Sequence, residues 1–440
     1  MQKREQIPET DFERFLKIYQ DGNMSVLVGA GLSMNVSDRF LSWKTLMKDI
    51  VQYIYKDQIN LHCENYLHIH GDKTNNIEEI KDKYIDAILD AEDFLQLASK
   101  YIKKKGYREA IDYYIESKTP YLVLLSDGSV EIHIAKEPPI PVAGSALSIH
   151  KALLSCQKFQ NVYTTNYDNI LEIASKLLSK ETSSISYKTV TSGKELSGNL
   201  SHNIIKIHGS IDNEPQEFQF DGDRHLRYII AQEDYDTYIQ KHEAFSYLMR
   251  IAMLQGYFCL VGFSGTDPNY LAWVRWMSDI LNAGSDDKIY LLDIDGKDIP
   301  EDLLSFYSNH HIVVINLWDE VILEHILGTN FVDKDNCDVV FDNETNNNYD
   351  VNNTIKSLLR NKKELNTLNI KNEQKQQPKK EELEQSIKKY KKVILESLFK
   401  YLHHLEEKKN SKELINQDKI ENDEGILYFK RHQNVHFLNL

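Results

Sequence analysis

Ser25-Val26-Leu27-Val28-Gly29-Ala30-Gly31-Leu32-Ser33 is a short apolar run that ends in a glycine-rich turn. The run reads as a buried strand. Gly29-x-Gly31 permits a tight turn and lets backbone approach a phosphate closely. Three more segments repeat the theme. Thr164-Thr165-Asn166-Tyr167-Asp168 follows the apolar residues 161–163, and Ile207-His208-Gly209-Ser210 closes residues 203–207. Gly262-Phe263-Ser264-Gly265-Thr266-Asp267 follows residues 257–261. Loops at the carboxyl ends of parallel strands are where an open α/β sheet binds its ligand. Four such loops, with an Asn and a His among them, point to one nucleotide site with chemistry in it.

Outward from these segments, strand-like runs alternate with helical periodicity. Helices are expected at 11–21, 43–55, 146–156, 169–178, 234–255, 269–281 and 320–327. Further strands are expected at 185–190, 226–231, 288–294 and 312–317. The alternation predicts an α/β fold, a Rossmann-like, doubly wound, mostly parallel sheet. Residues 77–117 are helix-like and 62–76 read as a loop. Asp127-Gly128 between the apolar runs 121–125 and 130–134 is a hairpin signature. Residues 57–141 therefore read as a helical insertion ending in a hairpin, inside a domain spanning 1–330. The Asn-, Asp-, Lys- and Gln-rich stretch 331–380 reads as a polar linker. The mainly helical C-terminal region, 381–440, opens with Leu383, Ile387, Tyr390, Ile394, Leu398, Tyr401 and Leu405 at helical spacing. Such a helix either pairs with another copy or folds back on its own domain. Residues 426–429 are strand-like.

The chain of 440 residues is 41% hydrophobic and 27% charged, ordinary for a globular protein, with a formal net charge of −15. That balance disfavours a non-specific nucleic-acid binder, and no sequence-specific nucleic-acid binding is expected. The four cysteines, Cys63, Cys156, Cys259 and Cys337, are scattered with no Cys-x-x-Cys spacing. Cys156 and Cys259 lie in apolar runs and read as buried thiols, which fits a reducing compartment. No secretory signal or membrane-length apolar run is visible, so a cytoplasmic location and no membrane contact are expected.

Each segment has a plain reading beside the chemical one. Met34 stands where a dinucleotide fingerprint has Gly or Ala, so Gly29-x-Gly31 alone serves equally as a connecting turn. Asn166 has an amide that both donates and accepts, suited to a ribose hydroxyl and a water, but Asn also suits turns. Asp168 and Asp267 fit as helix caps. A neutral His208 imidazole can take a proton near neutral pH.

Taken together and in this order, the four segments resemble the sirtuin superfamily over residues 20–330. Trp43-Lys44-x-Leu46 resembles the sirtuin-like NAD hydrolases of bacterial anti-phage defence. Two departures matter. The paired zinc cysteines of deacetylating sirtuins are missing between Ile211 and Gly262, where Cys259 stands alone. Ser37-Asp38-Arg39-Phe40 occupies the stretch of the Gly-Ile-Pro-Asp-Phe-Arg motif. The resemblance implies cleavage of NAD+ to nicotinamide and ADP-ribose, depleting NAD+ in abortive infection after an infection cue. It implies that Asn166 orients ribose and water, that His208 is the base, and that Asp168 holds the nicotinamide-side ribose or carboxamide. Gly29, Ala30, Gly31 and Ser33 would cradle the pyrophosphate, Ser264 and Asp267 the distal phosphate or ribose, and Asp293 the adenosine ribose. Thr165 and Gly262 complete the nucleotide-binding set. NAD+ is then substrate, with no further cofactor and no zinc. The expected partners are a second copy of the chain and a regulatory protein or phage trigger. The alternatives are a module that senses NAD or ADP-ribose without turnover, and a protein deacylase or ADP-ribosyltransferase.

Overall fold

A computed structural model describes residues 10–70, 77–182, 185–196, 202–211, 228–263, 265, 267–281, 288–295, 299–327, 351–371 and 377–436. Among the described residues ten strands form two sheets: β1 (Met24–Val28), β2 (Tyr121–Leu124), β3 (Val130–His133), β4 (Ile140–Val142), β5 (Phe159–Thr164), β6 (Lys188–Val190), β7 (Asn203–Lys206), β8 (Tyr257–Val261), β9 (Ile289–Asp293) and β10 (Ile312–Asn316). Seven of them make one sheet in the order β10-β9-β8-β1-β5-β7-β6, parallel at every pairing. The chain starts at the centre, passes through β5 to the edge strand β6, places β7 between them, then returns to β8 on the other side of β1. The doubly wound α/β architecture read from the sequence is therefore present, and the order reverses at β1.

Both faces of this sheet are covered, which explains why its strands are continuously apolar. Side chains alternate between two cores. Met24, Val26, Val28, Cys259 and Val261 face one, while Leu27, Phe258 and Leu260 face the other. The first core is closed by helices Asp11–Asp21, Ser148–Ser155, Ile170–Thr182 and Glu320–Leu327. The second is closed by Glu243–Gln255, Pro268–Leu281 and Glu301–Asn309. Thr10 and Glu13 form a capping box at the start of the first helix, and Gly22 ends it in left-handed geometry (φ +80°).

The segment between β1 and β5 is helical and ends in the expected hairpin. Its details depart from expectation. Residues 62–70 are not loop but the end of helix Lys56–His70. The helix-like 77–117 divides into Ile77–Ala91, Phe94–Lys105 and Glu109–Lys118. Asp93 restarts the chain as an N-cap, accepting the Gln96 N–H at 3.0 Å, and Gly106 (φ +86°) stops it. The hairpin gains a third strand, β4. Similarly, 234–255 is three helices, Gln232–Asp236, Tyr238–Lys241 and Glu243–Gln255. The expected strand 226–231 lies partly outside the described residues. Its remainder, 228–231, joins no sheet.

The polar stretch around 361–371 belongs to a helix, Val351–Lys371. Ile355, Leu358 and Leu365 are buried on its inner side, and their wide spacing hid them among Lys and Asn. The last helix runs over Gln377–His436 and includes the strand-like residues 426–429. A four-residue strand needs a paired neighbour, whereas a helix satisfies its backbone internally. The inner face of this helix (Leu383, Ile387, Ile394, Leu395, Leu398, Phe399 and Leu402) is buried in the first core. Glu406 fastens it near the start of β5, accepting the Gln157 and Lys158 N–H groups at 3.2 and 2.8 Å and the Tyr19 hydroxyl. No described helix is long and apolar enough to cross a membrane.

Candidate active site

The order reversal at β1 leaves a crevice beyond the carboxyl ends of the central strands, where open α/β sheets bind ligands. A cavity of about 330 Å³ lies there. Gly29, Ala30 and Ser33 line it after β1, Thr165, Asn166, Tyr167 and Asp168 after β5, His208 after β7, and Gly262, Phe263 and Asp267 after β8. Helix 232–236 adds Tyr235. The segment before and within helix Trp43–Ile54 adds Phe40, Leu41, Ser42, Trp43 and Leu46. The insertion closes the wall with Lys118, Thr119 and Pro120.

The glycines at the floor serve backbone packing. The Gly31 N–H donates to Gly262 O at 3.0 Å, and Gly29 N–H to Val261 O at 3.0 Å. A Cβ on Gly29 would stand 2.3 Å from Gly262 O, and one on Gly262 (φ +59°) 2.4 Å from Leu32 N. The two glycine loops dovetail, so the close approach that needs Gly29 is to another loop of the chain.

Ser33, Asn166 and Asp168 form one hydrogen-bonded group. Ser33 Oγ donates to Asp168 Oδ2 at 2.8 Å, and Asn166 Nδ2 donates to Ser33 Oγ at 3.0 Å. Thr164 Oγ1 accepts the Asn166 N–H at 3.0 Å and donates to Val28 O at 2.9 Å, which ties the loop after β5 to β1. Asp168 Oδ1 accepts the Ile170 N–H at 3.1 Å, so it also caps the next helix. Lys206 lies buried beneath, donating to Asp168 O and facing Glu172 at 3.3 Å. Burial raises the Glu172 carboxyl above its ordinary range, against the pull of Lys206.

His208 is 3% exposed. Its Nε2 has no hydrogen-bond partner among the described residues and stands 3.7 Å from Asp267 Oδ2. Burial lowers its pKa below the ordinary histidine value, opposed by the Asp267 and Asp234 carboxylates. The ring is therefore a neutral base with an acceptor or donor to spare. Asp267 accepts the Tyr235 hydroxyl at 2.9 Å through Oδ2 and caps helix Pro268–Leu281 through Oδ1, 3.0 Å from the Tyr270 N–H.

The structure thus brings Gly29, Ala30, Ser33, Thr165, Asn166, Asp168, His208, Gly262 and Asp267 to one cavity. Gly31 supports its floor. Asp293 stands at the end of β9, beyond β8, and is not among the lining residues; its Oδ1 accepts the Asp295 N–H at 3.0 Å, and burial raises its pKa. Ser264 lies outside the described residues. The sequence left the apolar wall unassigned. Trp43 and Leu46 stood out as a family signature, not as lining. Lys118–Pro120 and Tyr235 carry no local signal, because the fold brings them in from separate elements. Among the described residues no group of three or more His, Cys, Asp or Glu could hold a metal ion.

A parallel sheet with its order reversal under such a cavity defines a Rossmann-like α/β protein. Residues 160–315 match the family model of the SIR2-like domain, a stretch from β5 to β10 that contains Asn166, His208 and the Gly262 loop. The match supports a sirtuin-like family and is consistent with an NAD-related activity. No curated protein matches the chain.

Proposed function

We propose that this protein is an NAD+ glycohydrolase, cleaving NAD+ to nicotinamide and ADP-ribose with water as the acceptor. The observation that carries this reading is the convergence of a buried, neutral His208, whose Nε2 has no hydrogen-bond partner among the described residues, with the Ser33–Asn166–Asp168 group on one cavity. Nicotinamide leaves as a neutral molecule, so the ribose C1′–N bond breaks with its electron pair passing to the ring nitrogen. The cost lies in the oxocarbenium-like ribose and in holding a water beside it. Asn166 gives Nδ2 to Ser33, which orients its Oδ1 to accept from a ribose hydroxyl or the water. Water oxygen bonds to C1′, and its proton passes to His208 Nε2. Asp267, 3.7 Å away, stabilises the imidazolium as it forms. The apolar wall of Phe40, Leu41, Trp43 and Leu46 suits a flat nicotinamide ring and limits bulk water.

On this reading the protein is an effector that depletes NAD+ after an infection cue, as the anti-phage NAD hydrolases that its motifs resemble do. The test is nicotinamide release by purified protein, alone and in extract from phage-infected cells. Activity is expected to fall at least a hundredfold in Asn166→Ala and in His208→Ala. Undiminished turnover in both variants would overturn the assignment.

A further inference from the structure

Arg108 lies outside the cavity, at the start of helix Glu109–Lys118 in the insertion, yet it is bound into the wall behind His208. Its Nη2 donates to Asp234 Oδ2 at 2.8 Å and to Tyr228 O at 2.9 Å, and its Nη1 to Asp112 Oδ1 at 3.0 Å. Asp234 is 1% exposed, and its Oδ2 also accepts the Ile230 and Ala231 N–H groups at 3.1 and 2.9 Å. The next residue, Tyr235, donates to Asp267 and sets its ring edge-on to His208, 5.5 Å between centroids. The same segment reaches the Asn166 loop, where Tyr167 donates to Ile229 O at 2.7 Å. One guanidinium therefore ties down the 228–235 segment that lies behind both proposed reacting residues.

We propose that Arg108 is the positioning residue for His208, acting through Asp234, Tyr235 and Asp267, and that this fork couples the insertion to the site. The kinetic part of the proposal rests on the NAD+ hydrolase reading; the structural part does not. The groups facing His208 are Asp267 after β8, Asp234 and Tyr235 from helix 232–236, and Tyr238 from helix 238–241. Arg108 neutralises Asp234. Without the guanidinium, Asp234 becomes an unbalanced buried anion and the segment loosens to admit water. Both effects favour imidazolium. The base is then protonated at a higher pH than in the native protein.

The experiment is histidine-ring NMR on 15N-histidine-labelled full-length protein, with His208 assigned by its loss in His208→Gln. His208 in the native protein is expected to titrate below the ordinary value. Arg108→Met moves the midpoint up by about one pH unit, and Arg108→Lys, which keeps charge but loses the fork, by less. Asp112→Asn, which weakens the Nη1 arm and leaves both Nη2 bonds, moves it by less than Arg108→Met. The acid limb of kcat/KM for nicotinamide release shifts with the NMR midpoint while KM changes little. A purely structural role would lower the melting temperature without moving either midpoint. An unmoved His208 in folded Arg108→Met, or in Arg108→Lys if the Met variant does not fold, overturns the proposal. Absence of NAD+ turnover in the native protein would count against the hydrolase reading alone and leave the NMR result standing.

Discussion

His150 shows how sharply a single residue can set pH behaviour. It is 1% exposed, neither ring nitrogen has a hydrogen-bond partner among the described residues, and burial, with Lys392 nearby, lowers its pKa to about 3. The unfolded chain takes up a proton below about 6.5 that the folded chain refuses. The stability this site allows is therefore complete above pH 6.5 and is lost as pH falls toward 3. His150→Leu is expected to flatten that acid limb by up to about 4 kcal/mol at pH 3, read by urea unfolding across the window. An unchanged limb would mean that the ring is hydrated or paired in solution. Gly29 teaches a second lesson at this scale. The sequence shows that a glycine follows β1, and that was legible as a turn. It does not show what the glycine approaches, because the Gly262 loop lies far along the chain. Gly29→Ala would place a methyl against Gly262 O, and a loss of about 2–3 kcal/mol is expected in thermal or urea melts.

Among elements, the insertion hairpin packs Leu122, Val130 and Ile132 against Ile170 and Ile173, and one side chain clamps its first strand. Asn169 Oδ1 accepts the Leu122 N–H at 2.7 Å, and its Nδ2 donates to Leu122 O at 2.9 Å, so a buried amide imitates a strand neighbour. This sets β2, and with it the Lys118–Thr119–Pro120 wall, beside Asp168. Asn169→Ala leaves both backbone groups of Leu122 unsatisfied, and about 2–4 kcal/mol of stability is expected to be lost in urea unfolding. Hairpin and helices were legible here because Asp127-Gly128 and apolar periodicity are local signals. The clamp was not, since Asn169 read only as the start of a helix. The C-terminal helix shows the same division. Its apolar spacing marked it out, but spacing alone does not choose between a second copy and the chain's own core. In the structure that face is spent on the first core as far as Glu406. Phe399 is fully buried there, and Phe399→Ala is expected to cost about 3–5 kcal/mol in the unfolding of the whole chain. A separate, earlier transition confined to the C-terminal region would argue against one shared core.

In the whole molecule, two long excursions from a central sheet meet the candidate site in different ways. The sheet was legible because strands buried on both faces are continuously apolar and because loops at their carboxyl ends carry the polar residues. What could not be read is which excursion reaches the cavity. The insertion does so directly, through Lys118–Pro120 and through Arg108 to the segment ending at Tyr235. The C-terminal helix lies on the first core, and at the carboxyl ends of the strands it makes surface ion pairs, Lys388 with Asp38 and Lys391 with Asp295, a kind of contact that contributes little. Ligand binding should therefore stabilise the two excursions unequally. In hydrogen exchange on His208→Ala, which is expected to bind NAD+ without turning it over, saturating NAD+ should slow exchange at 109–122 and 228–236. It should leave Gln377–His436 near its unliganded rate. Local opening of a segment is suppressed only to the extent that the segment's closed form binds the ligand. Equal protection of the C-terminal helix would show that the first core carries the coupling, and absence of protection at 228–236 would remove the link between the insertion and His208.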